Sequence, residues 1–300
     1  MSDESLLIVS PECWRDACFS LPATRALARV RPTDILCPEP QRRLWEASGV
    51  SQVLTHDGSK KSLAESLTGI QHVLLWEDGV VAKACVKAAI PDRIGLPAPG
   101  LAKKLTRSLE RTVRPGPPEH DVRRFLDTAA TLGAEPFQQE NFAALEIEGE
   151  RYPDKVLIVA DSDFGKNHEW PAGRWIELLE ELPKHLLVLA SGPLARKVAE
   201  ATGIEVLEIS DPIEAARFGQ LIGADGSMPH VAAAFGTTCA VLYGPGDPDL
   251  IRPLGKQHSI IRRKVECSPC FVSSCPLDLR CQEDLSVGRV SNLLRGFIPA

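Results

Sequence analysis

Asp225, Gly226, Ser227 and His230 lie within five residues of one another, in a stretch from Ile222 to Pro248 that is rich in small residues. Asp225, Gly226, Ser227 and Pro229 favour a loop or a helix cap. A short helix is expected from about His230 to Phe235, walled by Ala232, Ala233 and Ala234 and ended by Gly236, before a buried strand at Cys239 to Tyr243. A loop that feeds the positive end of such a helix can hold phosphate on free backbone N–H groups, with Asp225 and His230 in reach of a sugar hydroxyl. The same residues suit a tight turn that merely caps a core helix. A second set is Cys267, Cys270, Cys275 and Cys281, whose C-x2-C-x4-C-x5-C spacing can wrap one tetrahedral zinc. Spacing alone does not bring four sulfurs to one point.

The elements that must position these residues alternate. Leu6 to Ser10 reads as a strand, followed by a helix around Pro22 that carries Arg15 and Asp16 near its start, where an acid is favoured by the helix dipole. Strands are expected at Asp34–Cys37, Gln52–Thr55 and His72–Trp76, with helices at Pro40–Ser48, Lys60–Leu67 and Asp78–Ala89, so the half is a parallel sheet covered on both faces. Leu101, Leu105, Leu109 and Val113 recur at i,i+4 among Lys103, Lys104, Arg107, Arg111 and Arg114. That spacing predicts a basic amphipathic helix over 101–114, either a solvated face or a surface for an anionic membrane or a phosphorylated lipid. After a helix at Glu119–Leu132, a linker over 134–154 sets a boundary between domains 1–150 and 151–300.

The second half repeats the alternation. Strands are expected at Val156–Ala160, Leu186–Ala190 and Glu205–Glu208 and around Ile260 and Ile261. Helices are expected after Pro171, from Ile213 to Gly223, and from Leu285 to Phe297.

With 300 residues, 44% of them hydrophobic, the chain can bury two cores of ordinary size. A net charge of −6 argues against a protein that coats nucleic acid. No apolar run is long enough to cross a bilayer and the first residues do not read as a secretory signal, so a cytoplasmic location is expected. Cys13, Cys18, Cys37, Cys85 and Cys239 sit in apolar contexts, as small core residues do.

The stretch at 225–245 resembles the signature of glycosyltransferase family 9, the ADP-heptose:lipopolysaccharide heptosyltransferases: Asp225, His230, Ala232 to Ala234, Gly236, Gly244 and Pro245 are in register, with the small pair in reversed order as Gly226-Ser227. Near the N-terminus Asp16, Leu21, Pro22, Arg25 and Leu27 match the family's pattern, while Arg15 replaces its glycine. The resemblance implies a GT-B fold of two facing Rossmann-like domains with a cleft between them. It implies an inverting transferase that needs no metal, moving a heptose or related sugar from an ADP-heptose type of donor to a lipid-linked oligosaccharide such as the lipopolysaccharide core. Asp16 would be the general base, with Arg15 able to hold it ionised or to crowd the acceptor. Ser162, with His168 or Lys166 standing for the family's lysine, would assist the Asp225 to His230 loop in holding the donor, and Leu194 stands where an acid often holds the ribose. The cysteine segment resembles a family hallmark that implies no metal in the chemistry. An enzyme of the cytoplasm, either free or peripheral at the inner face of the cytoplasmic membrane, is therefore expected. The departures at Arg15, His168, Leu194 and Gly226-Ser227 keep open a relative that has lost donor chemistry and acts as a binding or scaffold protein. An epimerase of the same architecture has no specific support.

Overall fold

The computed structural model describes residues 5–272 and 274–298, which divide into two compact units, Met1–Ala143 and Ala144–Ala300. The division falls at Ala143, a few residues before the expected 150. In the first unit the order is β1 (Leu6–Val9), α1 (Trp14–Val30), β2 (Thr33–Pro38), α2 (Arg42–Glu46), β3 (Gln52–His56), α3 (Lys60–Ser66), β4 (His72–Leu74), α4 (Val80–Lys87), β5 (Asp92–Gly95), β6 (Arg107–Ser108) and α5 (Val122–Thr131). Its six strands lie in the order β3-β2-β1-β4-β5-β6, every neighbouring pair parallel. Leu7, Val9, Leu36, Val73 and Leu75 pack under Leu63, Leu67, Val81 and Cys85. The central strand β1, Leu6–Val9, is apolar and buried throughout, as a strand covered on both faces is.

The second unit runs β7 (Tyr152–Val159), α6 (Ala172–Glu180), β8 (Leu187–Ala190), α7 (Pro193–Thr202), β9 (Val206–Leu207), β10 (Phe218–Ala224), α8 (Ser227–Ala234), β11 (Thr238–Tyr243), α9 (Pro248–Ile251), β12 (Ser259–Arg262), α10 (Arg280–Glu283) and α11 (Val287–Leu293). Its parallel sheet has the order β12-β11-β10-β7-β8-β9. Counted from the first strand of each unit, both sheets are 3-2-1-4-5-6, the doubly wound arrangement whose ligand crevice opens at the C-terminal ends of strands one and four. Val287, Val290, Leu294 and Phe297 close the core around Trp170 and Trp175, and Trp170 Nε1 donates to the Leu285 carbonyl at 3.0 Å.

Two expectations are corrected. The segment 213–223 is not a helix: a 3-10 turn at Pro212–Arg217 leads into β10, the fourth strand of its sheet. Buried between β7 and β11, Phe218 to Ala224 shows no polar face from which a strand period could be read. Gly219 and Gly223 admit β7 so closely that a Cβ would lie 1.9 Å from the Pro153 carbonyl oxygen and 2.8 Å from Val159 Cβ.

The basic amphipathic helix expected over 101–114 is also absent. A 3-10 turn at Ala102–Lys104 precedes β6, which pairs with β5 through Ile94↔Arg107 and Gly95↔Ser108. Sheet-edge hydrogen bonds outweigh local helical spacing here, and three of the cations meet carboxylates: Lys104 with Asp78 (2.8 Å), Arg107 with Asp92 (2.7 Å) and Arg114 with Asp127 (2.7 Å). A membrane contact through a helical face at 101–114 therefore has no such face to use.

Candidate functional site

In the second unit the crevice is formed by the loop after β7, residues 161–169, and the turn from β10 into α8. Asp225 follows the strand and is fully buried, and Gly226 is the extended N-cap residue of α8, so the helix begins at Ser227, earlier than its alanines suggested. Asp225 accepts a hydrogen bond from His168 Nδ1 at 3.0 Å, a bond that assigns the proton to Nδ1 and fixes the ring. Its backbone carbonyl accepts from Ser162 Oγ at 2.6 Å, and the same hydroxyl accepts from the Phe164 N–H at 3.1 Å. Ser162 thus ties the two loops together and its hydroxyl is engaged. Lys166 is exposed and forms no ion pair among the described residues, so a permanent cation stands on this loop. His230 is buried in α8 at 2% exposure. The structure thus gathers Ser162, His168, Asp225, Gly226 and Ser227 around one turn.

Sequence reasoning missed three contributors. Asp163 Oδ1 accepts from the Ser227 N–H at 2.8 Å, taking the backbone donor at the start of α8. Asp161 accepts from the N–H groups of Leu194 (2.8 Å) and Ala195 (2.9 Å), so it caps α7 where Leu194 had been the residue in question. Gly246, after β11, allows the third approach: a Cβ there would lie 2.5 Å from Asp225 Oδ2. The glycines and aspartates are visible in the chain, but which carboxylate meets which helix is a tertiary fact.

In the first unit Asp16 stands in the first turn of α1, as expected, with both oxygens engaged. Arg15 Nε donates to Oδ1 at 3.1 Å and Arg124, from α5, donates to Oδ2 at 2.8 Å. Across the crevice, Glu77 Oε1 accepts from the Glu12 N–H at 2.9 Å, and burial pushes the Glu77 carboxyl above its usual range. Asp121, also raised by burial, lines a cavity of 410 Å³ with Arg111, Arg114, His120 and Arg124. Neither carboxylate was singled out from sequence, since Glu77 follows a strand and Asp121 precedes a helix with no motif about them.

The sequence profile of glycosyltransferase family 9 (heptosyltransferase) matches residues 133–280, which hold the whole crevice of the second unit. The chain is a family 9 glycosyltransferase. Its fold is the α/β fold of the family's solved members: the Escherichia coli ADP-heptose lipopolysaccharide heptosyltransferase II is 19% identical, with a TM-score of 0.76 over 98% of both chains. The E. coli heptosyltransferase WaaC, solved with ADP-2-deoxy-2-fluoro heptose, is 18% identical with a TM-score of 0.71, over 98% of this chain and 99% of that one. The iron-containing dodecameric glycosyltransferase TibC of enterotoxigenic E. coli is 12% identical with a TM-score of 0.56, over 98% of this chain and 75% of its own. No curated protein matches the chain by sequence.

In this family 9 chain the cysteine segment braces the crevice from behind. The N–H groups of Cys270 and Phe271 both donate to the Pro245 carbonyl, Ser268 Oγ donates to the Gly244 carbonyl at 2.9 Å, and buried Gln282 donates to the Asn167 carbonyl at 3.2 Å. Cys281 is pushed up to about 11 by burial and by the neighbouring Cys270, Cys267 and Cys275, so the four thiols are neighbours. Among the described residues, however, no three His, Cys, Asp or Glu side chains converge as a metal centre requires.

Proposed function

We propose that the chain transfers a heptose or related sugar, with inversion, from a nucleotide diphosphate of the ADP-heptose type to a hydroxyl of a lipid-linked oligosaccharide such as the lipopolysaccharide core. The observation that carries this reading is the turn Asp225-Gly226-Ser227 at the end of β10, braced by His168 and Ser162 and opening into α8. Negative charge develops on the departing diphosphate, and helix-start N–H groups with the Lys166 ammonium stabilise it without a metal. Asp16 takes the acceptor proton, which requires one of its two arginine bonds to open. The similarity to heptosyltransferases solved with ADP or an ADP-heptose analogue supports the donor class. No helix among the described residues is long and apolar enough to cross a membrane. Incubation with ADP-heptose and deacylated core oligosaccharide tests the reading: a mass increment of one heptose, persisting in chelator, is the expected result.

A second reading, a family member that has lost transfer and serves as a binding or scaffold protein, is favoured by one specific observation. The helix-start donor that a diphosphate needs is held by Asp163. Calorimetry separates the two, because a scaffold binds no nucleotide sugar even at millimolar concentration.

A further inference from the structure

We propose that Asp163 is a built-in anion that occupies the diphosphate position of this chain, so that a donor binds only by displacing it. The inference rests on the nucleotide-donor reading above. Asp163 Oδ1 sits 2.8 Å from the Ser227 nitrogen, at the first residue of an eight-residue helix. A carboxylate there takes the same backbone hydrogen that a phosphate oxygen would take, and its charge repels an arriving diphosphate.

The neighbouring glycine makes the seat possible. A Cβ at Gly226 would lie 2.9 Å from Asp163 Oδ1 and 3.4 Å from Ser162 Oγ, so a side chain at 226 would push the carboxylate off the helix. The reversed order of the small pair, glycine first and serine second, is thus coupled to the aspartate sixty-odd residues earlier. The same loop does this twice: Asp161 holds the Leu194 and Ala195 N–H groups at the start of α7, where a Cβ on Gly192 would lie 2.2 Å from Asp161 Oδ2. Loop 161–169 therefore sends one carboxylate to each helix that follows a strand adjacent to β7. Asp163 is solvent-exposed, as a group that must swing away needs to be, whereas the Asp225 it sits beside is buried.

A cap without any gating role would leave the same hydrogen bond, because Gly226 has no side chain with which to cap α8. The Asp163→Asn variant separates the two, since its amide oxygen keeps the bond and loses the charge. ADP binding to the full chain, wild type against variant, is measured by calorimetry beside the melting temperature of each. The expected result is ADP affinity higher by roughly tenfold in the variant, at an unchanged melting temperature, with the difference shrinking as salt is raised. Equal, measurable affinities in both proteins would overturn the proposal while leaving the donor reading standing, and Asp163 would be a cap alone. If neither protein binds ADP at millimolar concentration, while both melt cooperatively, the donor reading fails and the gate falls with it.

Discussion

Asp16 illustrates what a motif leaves undecided about a side chain. Its place at the start of α1 follows from the chain, but the Arg124 guanidinium that grips Oδ2 comes from a helix 108 residues away. If Asp16 is the base, Asp16→Asn lowers heptose transfer at least about a hundredfold with donor affinity unchanged. Unaltered transfer in an active preparation would move the role to another carboxylate, of which Glu77 and Asp121 are nearest in environment. Glu77 carries a separate expectation for stability. Burial raises its carboxyl in the folded state, so its contribution is present below the unfolded carboxylate range and is lost as pH rises through the folded value. Glu77→Gln, which keeps an acceptor for the Glu12 N–H, is therefore expected to melt higher than wild type at pH 7 and level with it at about pH 3. Thermal unfolding followed by circular dichroism at the two pH values checks this; a variant that melts lower at pH 7 contradicts it.

At the scale of elements, local pattern succeeded where a segment meets its surroundings through one face and failed where two neighbours decide. The alanine wall of α8 and the buried run of β11 were legible. Strand β10 was not, because a strand enclosed on both sides and containing Gly219 and Gly223 has neither helical nor alternating period. The leucine spacing at 101–109 did mark burial, since Leu101 is fully buried and Leu109 nearly so, yet β5 offered an open edge and the chain paired with it. The cysteine segment, whose spacing reads as a ligand set, is tied by hydrogen bonds to Gly244 and Pro245. Its thiols are expected to be metal-free: chelator-washed protein holds no stoichiometric zinc or iron and keeps its melting temperature. One equivalent of metal per chain, with unfolding on its removal, would refute that assignment.

For the molecule as a whole, each unit carries a complete sheet of the same order with its own buried core, and the first and fourth strands of each end in loops bearing polar groups. The second unit is expected to fold alone. A fragment covering 144–300 should unfold cooperatively, with Trp170 and Trp175 emitting from a buried environment, and a fragment without a cooperative transition would show that its core is incomplete. The sequence by itself determined the α/β class, the two halves, the turn at 225–227 and the acid at 16, because each depends on residues close in the chain whose periodicity or turn chemistry is local. Only the tertiary structure decided that Asp163 reaches Ser227, that Asp161 reaches α7 and that two arginines hold Asp16. Those contacts are chosen by how strands bring distant loops to one crevice. A carboxylate takes whichever unsatisfied donor the fold sets beside it.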